Sequence, residues 1–194
     1  MIEIKNLNKI YLKGKKNMVH ALNNINLKID DRETVAIIGE SGAGKSTLLH
    51  IMSCIDNFDG EYYLDNIDIN KLSESKKSKL RSSKIGIVLQ DFALIDDFTV
   101  FENVMTPLYF NKKIKDKKGS VMRALKKTGI ASLKAKKVSQ LSGGQKQRVA
   151  ISRALVTNPE YIFADEPTGS LDSKTSDEII KMLFELNSNG ITIV

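Results

Sequence analysis

Residues 39–46 have the types and spacing of a loop that binds phosphate groups. The segment reads GESGAGKS, which fits the pattern G-x-x-x-x-G-K-[ST]. Glycines let such a loop turn its amide groups toward a phosphate, while the lysine binds the β- and γ-phosphates and the next hydroxyl ligates Mg²⁺. The alternative is a glycine-rich turn without a ligand. The predicted nucleotide contacts are Gly39, Ser41, Gly42, Gly44, Lys45, Ser46 and the following Thr47.

The elements on either side of this loop support a phosphate site. Residues 34–38 are a short, β-branched apolar run that predicts a buried strand, and residues 46–52 predict the first turns of a helix. The positive end of that helix would face the phosphates. We therefore expect a nucleoside triphosphate at this point of the chain.

A second group of chemical residues follows residues 161–164. Four apolar residues predict a buried strand, and Asp165 and Glu166 come directly after it. A strand of an α/β sheet presents its carboxyl end to a ligand, so Asp165 would hold Mg²⁺ and Glu166 would polarise a water molecule for attack on the γ-phosphate. The alternative is an ordinary strand that ends in an acidic turn.

Residues 141–145, which read LSGGQ, predict a second anion site. A hydroxyl, two glycines with open amides and the start of a helix are the features of such a site, although Ser142 could equally be a plain helix cap. Residues 39–46 are already expected to bind the phosphates of one nucleotide, so a second phosphate site in the same chain needs an explanation. We expect a head-to-tail partner, in which each chain offers this helix to the nucleotide of the other.

The remaining pattern predicts one α/β domain over residues 1–194, with a mainly parallel, covered sheet. Period-two alternation predicts N-terminal strands at 2–7 and 22–29, and turn residues predict a hairpin over 61–69. The middle of the chain, from about 91 to 158, predicts a helical subdomain. Other predicted strands are 84–90, 161–164 and 191–194, and other predicted helices are 73–83, one starting after Thr99, 120–128, 142–156 and 173–186.

With these motifs in this order, the chain resembles the nucleotide-binding subunit of ATP-binding cassette (ABC) transporters over essentially its whole length. The resemblance rests on the phosphate loop, Gln90 after a strand, LSGGQ, the Asp165–Glu166 pair, and residues 170–172. It implies a phosphate-loop ATPase core, an N-terminal antiparallel β subdomain and a helical subdomain. Residues 164–172, 88–92 and 99–104 are also similar to the branch of macrolide, lipoprotein-release, cell-division and antimicrobial-peptide transporters.

The resemblance implies a role for each matching residue. Tyr11 would stack on adenine; the alternative is a core aromatic at a strand end. Gln90 would approach Mg²⁺ or the attacking water; the alternative is an exposed residue at a strand end. Asp172 would lie at the dimer seam, or else cap the next helix. The implied catalytic residues are Glu166, Gln90 and Lys45, the implied Mg²⁺ ligands are Ser46, Gln90 and Asp165, and the partner's ATP would meet Ser142, Gly144 and Gln145.

The sequence departs from the family near its end. A histidine that contacts the γ-phosphate follows the last strand in the family, whereas this chain stops at Val194, and neither His20 nor His50 replaces that group. We therefore expect a C-terminally short form that binds ATP·Mg with weak or absent hydrolysis by itself. The alternative function is a nucleotide-binding or regulatory module that no longer hydrolyses ATP.

Composition and charge limit the compartment in which we expect the protein and the partners that it can bind. A net charge of +7 permits an anionic membrane or nucleic acid, but solvated surface lysines explain it as well, and no long coiled-coil insertion supports a DNA or ribosome role. A single cysteine, Cys54, fits a reducing compartment, and we find neither a signal peptide nor an apolar run long enough to cross a bilayer. We expect a cytoplasmic protein with no nucleic acid partner, bound to a second copy and, through an integral permease, to the inner face of the membrane.

Overall fold

A computed structural model describes all 194 residues and contains seven strands and six α-helices. A four-stranded sheet has the order β2-β1-β3-β4, and a three-stranded sheet has the order β5-β6-β7. The strands are β1 (Ile2–Tyr11), β2 (Val19–Ile29), β3 (Asp59–Leu64), β4 (Ile67–Asp68), β5 (Ile85–Val88), β6 (Tyr161–Ala164) and β7 (Thr192–Ile193). The helices are α1 (Lys45–Met52), α2 (Glu74–Lys84), α3 (Val100–Met105), α4 (Lys117–Lys127), α5 (Gly143–Leu155) and α6 (Ser173–Ser188).

The four-stranded sheet is the predicted N-terminal antiparallel subdomain. β1 pairs with β2 and β3, and the alternating residues Ile2 and Ile4 are buried against the core. The hairpin between β3 and β4 turns at Asp65 and Asn66, whose φ angles of 50° and 62° are those of a tight primed turn. The predicted hairpin is confirmed, but its predicted range of 61–69 ends one residue too late, because Ile69 begins a short 3₁₀ turn.

The three-stranded sheet is parallel, as predicted, and is covered on both faces. Side chains alternate across a strand, so Ile162 of β6 belongs to a buried cluster with the helices α3 to α6, while Tyr161 and Phe163 belong to a second cluster with the N-terminal sheet and α1. Helix α5 lies directly on β5 at Gly86, where an added β-carbon would come within 2.7 Å of the Ala154 carbonyl oxygen. The parallel sheet is therefore packed on both faces.

The predicted strand over residues 34–38 is wrong beyond its first residues. Thr34 forms an isolated parallel bridge with Ile193, and the Val35 amide donates to the Ile193 oxygen at 2.9 Å. β7 has only two residues, so the ladder offers no further partner, and Ile38 is 92% exposed. A β-branched apolar run alone does not make a strand when the neighbouring ladder ends.

The segment from 91 to 158 contains helices and no β-strand, as predicted. Thr99 and Glu102 form the predicted capping box at the start of α3. Helix α4 begins earlier than predicted because Asp116, which the sequence analysis did not single out, caps it by accepting from the Gly119 amide at 2.9 Å. None of the six helices combines the length and the apolar composition needed to cross a bilayer.

Candidate functional site

The loop of residues 39–46 ends in a helix start with unpaired amide groups. Gly44 is the N-cap of α1, and the first bond into the helix runs from the Leu48 amide to the Gly44 oxygen at 2.9 Å. The amides of Lys45, Ser46 and Thr47 donate to no protein acceptor. Three free donors at the positive end of a helix can bind the oxygens of a phosphate group.

Two glycines in this loop have left-handed backbones. Gly42 has φ 82° and Gly44 has φ 91°. Gly44 is also tightly packed, since a β-carbon there would lie 2.4 Å from the Ala21 oxygen and 2.9 Å from the Leu22 side chain. The start of α1 therefore lies directly on β2, and only glycine fits at position 44.

The loop lysine and the acidic strand end share one cavity. Lys45 Nζ donates to the carbonyl oxygens of Gly39 at 2.8 Å and Glu40 at 2.9 Å, which holds the ammonium group across the loop. Lys45, Asp165 and Glu166 line a cavity of about 320 Å³ between the 34–37 segment, β6 and α6. The sheet thus brings together two motifs more than a hundred residues apart.

Gln90 and Glu166 are joined by a direct hydrogen bond. Gln90 Nε2 donates to Glu166 Oε2 at 2.8 Å, and both side chains are exposed to solvent. Glu166 has φ 43°, an unusual backbone for a glutamate, directly after Asp165, whose amide donates to the Val88 oxygen at 2.9 Å. Strands β5 and β6 are neighbours, so residues that follow their ends meet at one edge of the sheet.

Gly169 limits the room beside this carboxylate. A β-carbon at position 169 would lie 3.2 Å from Glu166 Oε2. The sequence analysis did not single out Gly169, because its motif suggests only a turn after the strand. The contact suggests that the absence of a side chain there keeps the Glu166 carboxylate in place.

Residues 141–145 form the predicted helix start. The Gln145 amide donates to Ser142 Oγ at 3.4 Å, and the Ser142 amide donates to Gln145 Oε1 at 3.1 Å, which makes a capping box on α5. The amides of Gly143 and Gly144 donate to no protein acceptor. A β-carbon on Gly144 would meet Thr175 Cγ2 at 2.5 Å, so this glycine is also required for α5 to pack on α6.

Asp172 is the N-cap of α6. Its carboxylate accepts from the Thr175 hydroxyl at 2.6 Å and from the Thr175 amide at 3.0 Å. These two hydrogen bonds, with the hydroxyl bond the stronger influence, lower the pKa of Asp172 below its usual range. The capping alternative is therefore correct for the single chain, and Asp172 remains exposed beside the start of α5.

Tyr11 lies beside α1 with its ring partly exposed. Its hydroxyl donates to Asp56 Oδ2 at 2.8 Å, and Lys9 Nζ lies 4.8 Å from the ring centroid. Burial, followed by the hydrogen bond to Asp56, raises the pKa of Tyr11, although a contact with Thr47 opposes this. The aromatic ring is thus held next to the helix that carries the phosphate loop.

One residue that the sequence analysis missed connects the two motif regions. Arg153 of α5 donates through Nη2 to the Phe92 oxygen at 2.7 Å and through Nη1 to the Ala93 oxygen. Phe92 and Ala93 have φ angles of 62° and 44°, and they follow Gln90 in the same loop. No sequence signal pairs residues about sixty positions apart, so this contact needed the structure.

The oxygen groups at the loop fit a magnesium ion. The residues available are the Ser46 hydroxyl, the Gln90 amide oxygen and the Asp165 carboxylate, all of which are hard oxygen ligands. No group of three or more His, Cys, Asp or Glu side chains is arranged to hold a metal. Mg²⁺ usually takes only one or two protein ligands together with substrate phosphates, so this donor set suits it better than a transition metal.

A parallel sheet, a glycine-rich loop leading into a helix and an acidic strand end define a phosphate-loop nucleoside triphosphatase. Residues 22–169 match the family model described as "ABC transporter". The chain belongs to the ABC transporter family. It is the ATP-binding subunit of such a transporter and an ATPase of the ABC type. The family expectation from the sequence is confirmed.

Curated relatives and a solved structure agree with this assignment. The chain is 46% identical over 201 positions to the uncharacterised ABC transporter ATP-binding protein MJ0796 of Methanocaldococcus jannaschii, with 100% of the chain and 85% of the relative covered. A dimeric, post-hydrolysis structure of that cassette with ADP and Pi matches the whole chain and 86% of the other at TM-score 0.91 and 43% identity. The expected α/β architecture is therefore confirmed.

Two named transporter proteins are also similar. The chain is 42% identical over 189 positions to the lipoprotein-releasing ATP-binding protein LolD of Wigglesworthia glossinidia brevipalpis, with 96% of the chain and 82% of the relative covered. It is 43% identical over 196 positions to the macrolide export ATP-binding/permease protein MacB of Mannheimia succiniciproducens, with 100% of the chain covered. The chain spans only 30% of the length of that relative.

Proposed function

We propose that this chain binds and hydrolyses ATP to drive a membrane permease that exports a peptide, lipoprotein or drug-like substrate. One observation carries the proposal: Lys45 and Glu166 line the same cavity, and Gln90 Nε2 donates a hydrogen bond to Glu166. A phosphate-binding cation, a carboxylate and a polar amide together are the groups that attack on a γ-phosphate requires.

The phosphate loop would supply most of the nucleotide affinity. The free amides of Lys45, Ser46 and Thr47 would hold the phosphate oxygens, and the Lys45 ammonium group would leave the loop carbonyls to bind the β- and γ-phosphates. Tyr11 would stack its ring on adenine. Ser46, Gln90 and Asp165 would hold Mg²⁺, which when bound neutralises charge on the phosphate oxygens.

Glu166 would act as the general base. Its carboxylate would accept a proton from the attacking water, and the bond from Gln90 Nε2 would keep the second oxygen oriented. The exposed position of Glu166 leaves room for water beside it. The Gln90 loop would then carry the change on hydrolysis toward the permease.

Two copies would assemble around two ATP molecules. The side-chain hydrogen bonds of Ser142 and Gln145 stay within the start of α5, and Gly144 packs on Thr175 of α6, so none of these contacts involves the 39–47 loop of the same chain. A head-to-tail partner would bring its α5 start to the γ-phosphate, with Asp172 near the seam. The dimeric ADP-bound structure of the similar cassette supports this arrangement.

The proposals of a permease partner and of export rest on relatives rather than on the site. MacB is named as an ATP-binding and permease protein, and LolD is named for lipoprotein release, which supports an exporter. We propose that residues 1–194 act as one nucleotide-binding domain, with a helical subdomain at about 91–158. It would lie on the cytoplasmic side of the membrane, attached through the permease.

Replacing Glu166 with Gln tests the proposed chemistry. Loss of the base should slow ATP hydrolysis by about a hundredfold to a thousandfold and leave ATP affinity within about twofold. Single-turnover measurements with labelled ATP resolve even slow rates, and equilibrium binding gives the affinity. Glu160→Gln is the matched control, since Glu160 precedes the same strand and pairs with Lys84. An unchanged rate in Glu166→Gln would remove Glu166 from the chemistry.

A further inference from the structure

Two of the basic segments of the chain meet in the folded structure. Residues 74–84 and 109–118 together contain ten Lys or Arg residues and two acidic residues, a net charge of +8. Residues 5–16 and 123–137 are also basic, with net charges of +5 and +6. What distinguishes the first two segments is that the fold joins them into one surface.

A buried asparagine joins the two segments into one surface. Asn111 is only 6% exposed, and its Nδ2 donates to the Ser82 oxygen in the last turns of α2 at 2.9 Å. The Lys113 amide donates to Asn111 Oδ1 at 3.0 Å, which fixes the start of the lysine-rich loop. We call the lysines here the basic patch, of which Lys117 is half-buried and the others are exposed: Lys76, Lys79, Lys112, Lys113, Lys115, Lys117 and Lys118.

The basic patch has no acidic partners. None of its lysines has a carboxylate oxygen within 4.0 Å, whereas Lys77 and Lys84 of the same helix are paired with acids. Asp116, the one acid in the lysine-rich loop, caps α4 and pairs with Arg123. The charge of the patch is therefore available to a ligand.

Two aromatic side chains project from the edge of the basic patch. Leu108 and Asn111 are buried on either side, and between them Tyr109 is 66% exposed and Phe110 is 74% exposed. The Phe110 amide donates to the Pro107 oxygen at 3.2 Å, so the backbone here is a closed turn. Lys117 Nζ lies 5.6 Å from the Tyr109 ring centroid. The aromatics thus point outward because both ends of the turn are held down.

We propose that the basic patch, with Tyr109 and Phe110, is a contact surface for anionic lipid headgroups. Clustered lysines are attracted to the negative surface of a membrane, and aromatic side chains enter the boundary between headgroups and acyl chains. Lysine stems can lie along the apolar surface while the ammonium groups bind lipid phosphates. This inference goes beyond ATP hydrolysis and does not depend on it.

The chemistry favours lipid over the two other kinds of partner. Lysine is depleted in the centre of protein–protein interfaces, whereas a lipid surface accepts many mobile lysines without fixed pairing. Single-stranded nucleic acid binds along a charged groove lined by aromatics, whereas Tyr109 and Phe110 are 66% and 74% exposed on a closed turn. Arg, which reads bases and phosphates through two parallel bonds, is absent from residues 109–118.

Vesicle flotation of the chain, without nucleotide, tests the proposal. We expect binding to phosphatidylcholine vesicles that contain about a third phosphatidylglycerol, and little binding to phosphatidylcholine alone, at about 0.1 M salt. The double variant Lys112→Glu/Lys113→Glu should reduce the partition coefficient about tenfold or more. Phe110→Ser should reduce it roughly fivefold by removing the inserted ring.

Matched controls separate the basic patch from general charge. Lys15→Glu/Lys16→Glu changes two adjacent exposed lysines in another loop, and Met18→Ser removes another exposed apolar side chain. Both should keep binding within about twofold. Equal losses in the patch and control variants, or binding without phosphatidylglycerol dependence, would overturn the proposal. Full vesicle binding by the patch variants, with lost co-purification of the permease, would also overturn it and assign the surface to the permease.

Discussion

At the scale of single residues, the orientation of Glu166 is the most specific feature of the site. Gln90 Nε2 donates to one carboxylate oxygen, and Gly169 leaves space on the side of that same oxygen. A general base must be held close to its productive geometry, because a displacement of about 1 Å can slow a reaction by up to a hundredfold. With Glu166 as the proposed general base, Gly169 would contribute to hydrolysis by keeping its carboxylate in place.

We predict that Gly169→Ala lowers kcat about three- to tenfold and leaves ATP affinity unchanged. The added methyl group would lie 3.2 Å from Glu166 Oε2 and would force the carboxylate or the turn to shift. The φ angle of Gly169 is not in the left-handed region, so alanine introduces no backbone strain. Single-turnover rates and equilibrium ATP binding measure the two effects, with Ser170→Ala as the neighbouring control. A wild-type rate in Gly169→Ala would exclude this role.

The sequence predicted those single residues whose chemistry is local. Lys45 and the helix after it follow from one eight-residue pattern, and the alternative of Ser142 as a helix cap follows from its place directly before α5. Gly169 and Arg153 were missed because their contacts depend on packing between distant segments. The roles of Gln90 and Tyr11 came only from the family resemblance and stay predictions.

At the scale of secondary structure, α5 connects the two motif regions. Its start carries Ser142, and its last turn carries Arg153, which donates to the backbone of the loop that begins with Gln90. A shift of α5 would therefore change the backbone behind Gln90. The helix would therefore connect the proposed dimer contact at Ser142 mechanically with Gln90, which is hydrogen-bonded to Glu166.

We predict that Arg153→Met lowers kcat about tenfold, with ATP affinity within about twofold, because the Gln90 loop loses two hydrogen bonds. Arg148→Met is the matched control, since Arg148 lies on the same helix and donates to the Thr128 oxygen and to Glu178. Both variants should lower the melting temperature by a few degrees. Equal kcat losses in the two would show that Arg153 is only structural.

The boundaries of helices were easier to predict than the strand before the phosphate loop. Capping residues fix α3 and α5 locally, and both starts agree with the sequence prediction. Residues 34–38 have strand composition, but a strand exists only where a ladder partner is present, and β7 forms a single bridge, between Thr34 and Ile193. The number of residues that pair in a sheet depends on the tertiary structure, so composition alone does not predict it.

At the scale of the whole molecule, the functional residues of one chain fall into two separate groups. Lys45 and Glu166 share the central cavity, while Ser142 and Asp172 lie together at the starts of α5 and α6, outside that cavity. Gly144 packs on Thr175 and ties these two helix starts into one surface. In the proposed assembly, that surface completes the nucleotide site of a second copy.

A mixing experiment tests this requirement most directly. In a Glu166→Gln background, one chain carries Lys45→Ala and the other carries Ser142→Arg, so neither forms an intact site with its own copies. Head-to-tail pairing of the two restores one site, built from Lys45 of one protomer and Ser142 of its partner. We predict that light scattering with labelled ATP detects dimers with one retained ATP only in the mixture. No ATP-bound dimer in the mixture, while Glu166→Gln alone dimerises, would contradict the account.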